Sequence, residues 1–160
     1  MRVKSEGGFT LLEVLIVIML IAIVAAIAIP NLLNARKTAN EVAAIGALKS
    51  ITEGQSLFRE GDKEGDNSYD YGTLNELSQA NLIDQILGTG TRQGYHFQTD
   101  RPALTSEFIF FALANPASMG DTGDRAFCTN HMAVIWYTSL VSISMNNTNC
   151  EIPPGLTPVR

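Results

Sequence analysis

From Phe9 to Ile29 the chain runs for 21 residues with Glu13 as the only charged residue. As a helix rising about 1.5 Å per residue, this stretch reaches roughly 31 Å, the thickness of a bilayer's hydrocarbon core. Every position from Val14 to Ile29 is Leu, Ile, Val or Ala, apart from Met19. All its faces are therefore apolar, as a lipid-immersed helix requires. The preceding run, Met1 to Gly8, is short and polar with Arg2 and Lys4 as its positive charges, and it reads as a targeting leader.

Three readings compete for the apolar segment. Ala26-Ile27-Ala28 fits the small-x-small pattern that ends a cleaved secretory signal. Against that reading, the run exceeds the usual apolar length of about 7 to 15 residues, and an ionised Glu13 would cost about 2.5 to 3.5 kcal/mol on insertion scales. An uncut signal anchor would merely tolerate Glu13 near the membrane face. A third reading makes Glu13 functional, because an intramembrane acid is by default a site awaiting a partner.

Gly8-Phe9-Thr10-Leu11-Leu12-Glu13-Val14-Leu15, followed by the apolar run and Pro30, resembles the class III signal of type IV pilins and type II secretion pseudopilins. The resemblance implies a leader of residues 1–8, cleavage by a prepilin peptidase between Gly8 and Phe9, and N-methylation of Phe9. It also assigns assembly roles to Phe9, Glu13 and Pro30. The chemistry agrees with this. Glycine leaves the backbone open at the scissile bond, and cleavage ahead of the apolar run keeps the anchor on the mature protein. The freed Phe9 amine, with a reference pKa of about 7.7 to 8.0, is largely cationic at neutral pH. In a fibre core of packed apolar helices an unpaired Glu13 would be strongly destabilising, so pairing with a neighbour's Phe9 ammonium neutralises both charges and fixes register. Pairing within one helix is also open, since i and i+4 groups are adjacent.

Composition follows from this division. The charged fraction is only 17%, against about 25% in ordinary globular proteins, because one uncharged segment dilutes the rest. Residues 31–160 carry 14 acids and 9 bases, and the net charge of -5 becomes -6 once the leader is removed. An acidic domain without a basic cluster disfavours nucleic-acid binding. Arg2 and Lys4 before the span balance Arg36 and Lys37 after it, so flanking charge does not orient the chain. The two cysteines, Cys128 and Cys150, lie distally and read as a disulfide in an exported domain, which favours the C-terminal region outside the cytoplasm. The 21 residues they enclose would give a closure worth about 3 kcal/mol.

Beyond Pro30 an amphipathic helical pattern resumes through Ala35, Ala39, Val42, Ile45, Leu48, Gln55 and Phe58. A helix over 9–58 with a kink at Pro30 is expected, its first half (9–29) transmembrane. Residues 59–93 read as a connecting loop with a short helix, since Thr73-Leu-Asn-Glu76 has the capping-box pattern and predicts a helix from Leu74 to about Asn81. Strand signals then fall at 94–99, 107–114, 126–129 and 133–138, with a weaker fifth at 140–144. Short strands with tight connections favour an antiparallel sheet over 94–160, with one face on the helix. Gly-Tyr-His-Phe, Phe-Ile-Phe-Phe-Ala-Leu-Ala-Asn-Pro, Asp-Arg-Ala-Phe and Ala-Val-Ile-Trp resemble the strand order of pilin-like heads. The fold class is α+β: a pilin-like long N-terminal helix on a small antiparallel head.

No cofactor is expected. Calcium is a minor reading for Asp62, Glu64, Asp66 and Asp70, or for Asp121 with Asp124, but neither group has EF-hand spacing. Cys128-x-x-His131 with His96 and Cys150 lacks the two close pairs usual for zinc. No Gly-x-Ser-x-Gly elbow, P-loop or His-Glu-x-x-His occurs, so no enzymatic activity is expected. Phe9 and Phe58 are the only aromatics on the long helix, which does not support a stacked electron conduit; Phe108, Phe110, Phe111, Trp136 and Tyr137 are expected in the core and interfaces of the head.

The resemblance implies a pilus-type structural subunit held in the inner membrane with its head in the periplasm, then polymerised with copies of itself and related pilins into a surface pilus. Its implied partners are the prepilin peptidase, an inner-membrane platform protein, an assembly ATPase and a secretin. One alternative is a type II secretion pseudopilin forming a short periplasmic piston, with calcium in its head as a minor reading. Another class is a signal-anchored or secreted monomeric binding domain.

Overall fold

A computed structural model describes residues 8–62, 68–102, 106–144 and 152–159. The chain divides into two units between Ala35 and Arg36. Helix α1, Leu11–Glu60, has the 50 residues expected but starts and ends two residues later, and it continues through Pro30. Thr10 sets the start: its Oγ1 accepts a hydrogen bond from Glu13 N at 3.2 Å, and its carbonyl accepts one from Val14 N. Thr10-x-x-Glu13 thus places the carboxylate in the first turn, at the positive end of the helix dipole. In the first unit the large apolar side chains of α1 are exposed, and none of the most apolar 18-residue window is buried.

The second unit contains α2 (Leu74–Gln79), α3 (Gln85–Gly88) and a six-stranded antiparallel sheet in sequential order. Its strands are β1 (Thr91–Arg92), β2 (Tyr95–Asp100), β3 (Phe111–Pro116), β4 (Arg125–Asn130), β5 (Trp136–Ser139) and β6 (Thr157–Pro158). The expected capping box forms, with Thr73 N donating to Glu76 Oε2 and Glu76 N to Thr73 Oγ1. Leu74 and Leu77 of α2 enter the core.

The sheet begins at Thr91, ahead of the expected boundary at 94. β1 and β2 form a hairpin across Gln93-Gly94, both at positive φ, which is the geometry of a tight two-residue turn. β3 starts at Phe111 instead of 107, because 106–108 form a turn. The weak fifth strand at 140–144 is absent: Leu140 turns at φ 60° and ends β5, and Ile143 instead packs under the sheet.

Both sheet faces are covered, as the pleat of β3 records. Ala112 and Ala114 point to the main core, where they join Ala44, Ala47, Leu48, Ile51 and Phe58 of α1 with Tyr95, Phe97 and Phe127. Phe111 and Leu113 point the other way, into a second cluster with Ala126, Cys128 and Ile143, flanked by Trp136, Ile152 and Leu156. Asn115 fastens this layer, donating to the Ile143 carbonyl and accepting from its N–H, both at 2.8 Å. Phe110 and Phe111 are buried as expected, Trp136 and Tyr137 partly so, but Phe108 is exposed.

The candidate assembly segment and the clamp on the head

At the N-terminus the residues of the motif stand open. Gly8 is exposed with nothing within 4 Å of where a Cβ would sit, and Phe9 is 80% exposed just before the first turn. Glu13 is exposed one turn further on. A cut before Phe9 would place the new amine next to that carboxylate's turn. An exposed, uniformly apolar helix of this length has two physical solutions, lipid or other apolar helices.

The second half of α1 carries a feature that hydrophobic periodicity passes over. Ala35, Ala39 and Val42, expected on the buried stripe, are exposed; the buried face runs instead through Glu41, Ala44, Ala47 and Leu48, Ile51, Gly54 and Gln55, and Phe58. Its first turns are polar because they hold the loop between β3 and β4. Glu41 is only 6% exposed. Its Oε1 accepts from Asp124 N at 2.9 Å and Arg125 N at 3.1 Å, and its Oε2 accepts from Arg125 Nε at 2.8 Å and Nη2 at 2.7 Å. This is a charge-assisted, two-pronged pairing in which the buried carboxylate is satisfied on both oxygens. The Arg125 guanidinium also lies over Phe127 and Tyr137, 5.4 and 5.3 Å from the ring centroids. Asn40 donates to the Thr122 carbonyl at 2.9 Å, and Lys37 pairs with Asp124 at 3.3 Å.

Tyr95 completes the clamp by donating to the Arg125 carbonyl at 2.8 Å. Burial raises the phenol's pKa well above its ordinary value, and the Glu41 carboxylate adds to the rise, so the hydroxyl stays a donor. Gly123 makes room for it: a Cβ there would lie 2.1 Å from Tyr95 Oη. Gly123→Ala is expected to cost about 1 to 3 kcal/mol through overpacking, read as a lower thermal midpoint of the mature protein in detergent. At the far end of α1, buried Gln55 bonds both ways with Gly72, donating to its carbonyl at 2.6 Å and accepting from its N–H at 2.8 Å.

The other sequence-derived candidates fall as follows. Asp70 is spent on Arg101 at 2.8 Å, Asp121 on the Ser118 hydroxyl, and Asp124 on Lys37. Glu64 and Asp66 lie outside the described residues. Among the described residues no group of three or more His, Cys, Asp or Glu is placed to hold a metal. Cys128 is buried in the second cluster, where burial pushes the reduced thiol up to about 12, while His131 is exposed in the β4–β5 turn. Cys150 lies outside the described residues, and so does its pairing.

Residues 3–29 match the family model of the prokaryotic N-terminal methylation motif. The chain carries a type IV pilin-like N-terminus. Relatives agree with the motif. The type IV wide pilus major component PilA4 of Thermus thermophilus is 46% identical over 56 residues, which are 35% of this chain and 43% of that protein. The type II secretion system core protein G of Escherichia coli is 22% identical over 120 residues, 72% of this chain and 77% of the relative. Core protein G of Aeromonas hydrophila is 29% identical over 59 residues, 37% and 41% of the two chains. The chain thus spans less than half the length of two of these three relatives. No solved structure is a significant match.

Proposed function

We propose that this pilin-like chain is a structural subunit of a type IV pilus-type filament, made as a precursor, cut between Gly8 and Phe9, methylated on Phe9 and polymerised through its apolar helix. The observation that carries this reading is the conjunction of the methylation motif with an apolar helix whose every face is exposed. A monomeric binding domain has no use for Glu13 within such a segment, whereas a helix that leaves lipid for a bundle of its own copies needs a charge pair to set register.

Before assembly the subunit sits in the inner membrane by a single span with its head in the periplasm; afterwards it lies in a surface filament. The proposed partners are copies of itself and related pilins, the prepilin peptidase, an inner-membrane platform protein, an assembly ATPase and a secretin. Cys128 and Cys150 form the structural disulfide of the head, suited to that compartment. The roughly three-quarters coverage of core protein G favours a second reading, a pseudopilin polymerised into a short periplasmic piston.

Mass spectrometry of the mature chain tests the proposal. Expected are an N-terminal methylated Phe9 and an intact mass two hydrogens below the reduced value. A chain beginning at Ile29, or one retaining Met1, overturns it. Shed surface filaments containing this chain separate pilus from piston.

A further inference from the structure

The outer edge of β2 has one open place. In an antiparallel ladder, alternate residues turn both backbone polar groups toward the same neighbouring strand. Phe97 N donates to the Gly90 carbonyl at 2.7 Å and Ala117 N to the Gly94 carbonyl at 2.8 Å. This phase turns the groups of His96, Gln98 and Asp100 toward β3 and those of Tyr95, Phe97 and Thr99 toward the β1 side. On that side Tyr95 is paired with Arg92, and Phe97 N is taken by Gly90. Past Thr99, Arg101 N donates to Asp100 Oδ1 at 2.8 Å. Among the described residues nothing pairs with the Thr99 N–H or carbonyl, and its buried hydroxyl has no partner either.

The gap has a cause in the chain that precedes β1. Continued register would set Gly88 opposite Thr99, but Gly88 is the last residue of α3, and Gly90, at φ 80°, brings the chain into β1 only at Thr91. A cleft of about 560 Å³ is left between the β2 edge, the start of α2 and the Gly88–Gly90 turn. Leu74 and Phe97 give it an apolar floor. Asn75 and Gln98 bring exposed side-chain amides to it, neither with a partner among the described residues. Of the residues lining the cleft, Asp100 alone is charged.

We propose that this cleft binds an extended, uncharged peptide segment of another protein, which adds one short strand to the open edge of β2. The proposal goes beyond the filament reading and needs only the folded head. An N–H and a carbonyl on the same side of one strand residue match the N–H and carbonyl of one residue in an extended chain. A lone acetamido group on a sugar fits less well, because a trans amide points its two groups in opposite directions and meets only one of those on Thr99. The peptide residue opposite Thr99 turns its side chain to the face of Phe97 and Leu74, which selects an apolar one. Asn75 and Gln98 each carry donors and an acceptor for the peptide groups that so short an edge leaves over. With no base lining the cleft, an acidic segment finds no counter-charge there.

Titrating the mature chain in detergent micelles with the capped peptide acetyl-Ser-Val-Ser-Val-Ser-amide, followed by NMR, tests the proposal. Expected in the free chain is a Thr99 amide that exchanges freely with solvent, beside slow exchange at Gln98 and Asp100, which bond to β3. Added peptide should slow exchange at Thr99 by at least about tenfold and shift the side-chain amide signals of Asn75 and Gln98. Thr99→Pro removes an N–H and a hydroxyl that have no partner, and proline is tolerated where a strand's N–H faces outward. This variant should keep its thermal midpoint and bind the peptide at least about tenfold more weakly. Should it misfold, the same peptide N-methylated at its three central residues gives an independent reading on the unsubstituted chain, where it is expected not to bind. The proposal is overturned if the Thr99 amide is already protected in the free chain, if the N-methylated peptide binds as tightly as the parent, if a folded Thr99→Pro variant binds the peptide unchanged, or if a trimer of N-acetylglucosamine fills the cleft and the peptide does not.

Discussion

Glu13→Ala is expected to leave cleavage after Gly8 and methylation of Phe9 intact and to reduce filament yield at least a hundredfold. Gly8 lies outside the substituted turn, and the proposed peptidase would meet an exposed backbone there. Assembly is another matter. The Ala side chain removes a charge that costs about 2.5 to 3.5 kcal/mol in a helix at bilayer depth, so the proposed membrane-held subunit would gain stability. In the proposed fibre the same substitution would leave a neighbour's Phe9 ammonium buried without a partner, and breaking a buried pair from one side costs about 3 to 5 kcal/mol. At 1.4 kcal/mol per tenfold, even the lower figure is a factor of about a hundred in each addition step. Immunoblots of the mature N-terminus against sheared filament fractions separate the two stages. Unchanged filaments would refute a register role for Glu13, and loss of processing would move that role to peptidase recognition.

The N-terminal half was readable because its physics is one-dimensional. An apolar run of bilayer length needs no tertiary partner to be recognised, and a single charge within it stands out. Even there the Thr10 cap carries no hydropathy signal, although Thr10-x-x-Glu13 repeats the pattern of Thr73 and Glu76. The short helix α2 was legible for the same local reason. What failed was whatever depended on distant chain. The stripe through Ala35, Ala39 and Val42 follows hydropathy, but the buried face there is chosen by Asp124 and Arg125, more than eighty residues away. Two-residue strands such as β1 and β6 carry too few side chains for any alternation, and exist only because β2 and β5 offer them an edge. Leu140–Ser144 had the composition of a strand, yet a left-handed turn at Leu140 and the Asn115 bracket on Ile143 send it beneath the sheet.

Glu41 is where that distant dependence is strongest, and its removal is expected to be the costliest single change in the head. Glu41→Ala deletes a carboxylate that accepts two backbone N–H groups and both prongs of Arg125. The N–H groups of Asp124 and Arg125 lose their acceptor, and each such loss in a buried setting costs about 1 to 3 kcal/mol. Arg125 keeps its stacking on Phe127 and Tyr137 and remains about a third exposed, so water recovers part of its hydrogen bonding and the full penalty for an orphaned buried charge is not reached. The net expectation is a loss of about 3 kcal/mol, measured by denaturant unfolding of the mature protein in micelles. Lys37→Ala, which breaks the neighbouring but more exposed pair with Asp124, should cost under about 1 kcal/mol. The contrast separates two accounts of the clamp. If long-range charge attraction holds α1 to the β3–β4 loop, the two variants should fall together and high salt should weaken the unsubstituted protein alike. If buried hydrogen bonding holds it, Glu41→Ala should be severe and nearly independent of salt, and Glu41→Gln, which keeps an acceptor for the backbone N–H groups, should recover about half of the loss.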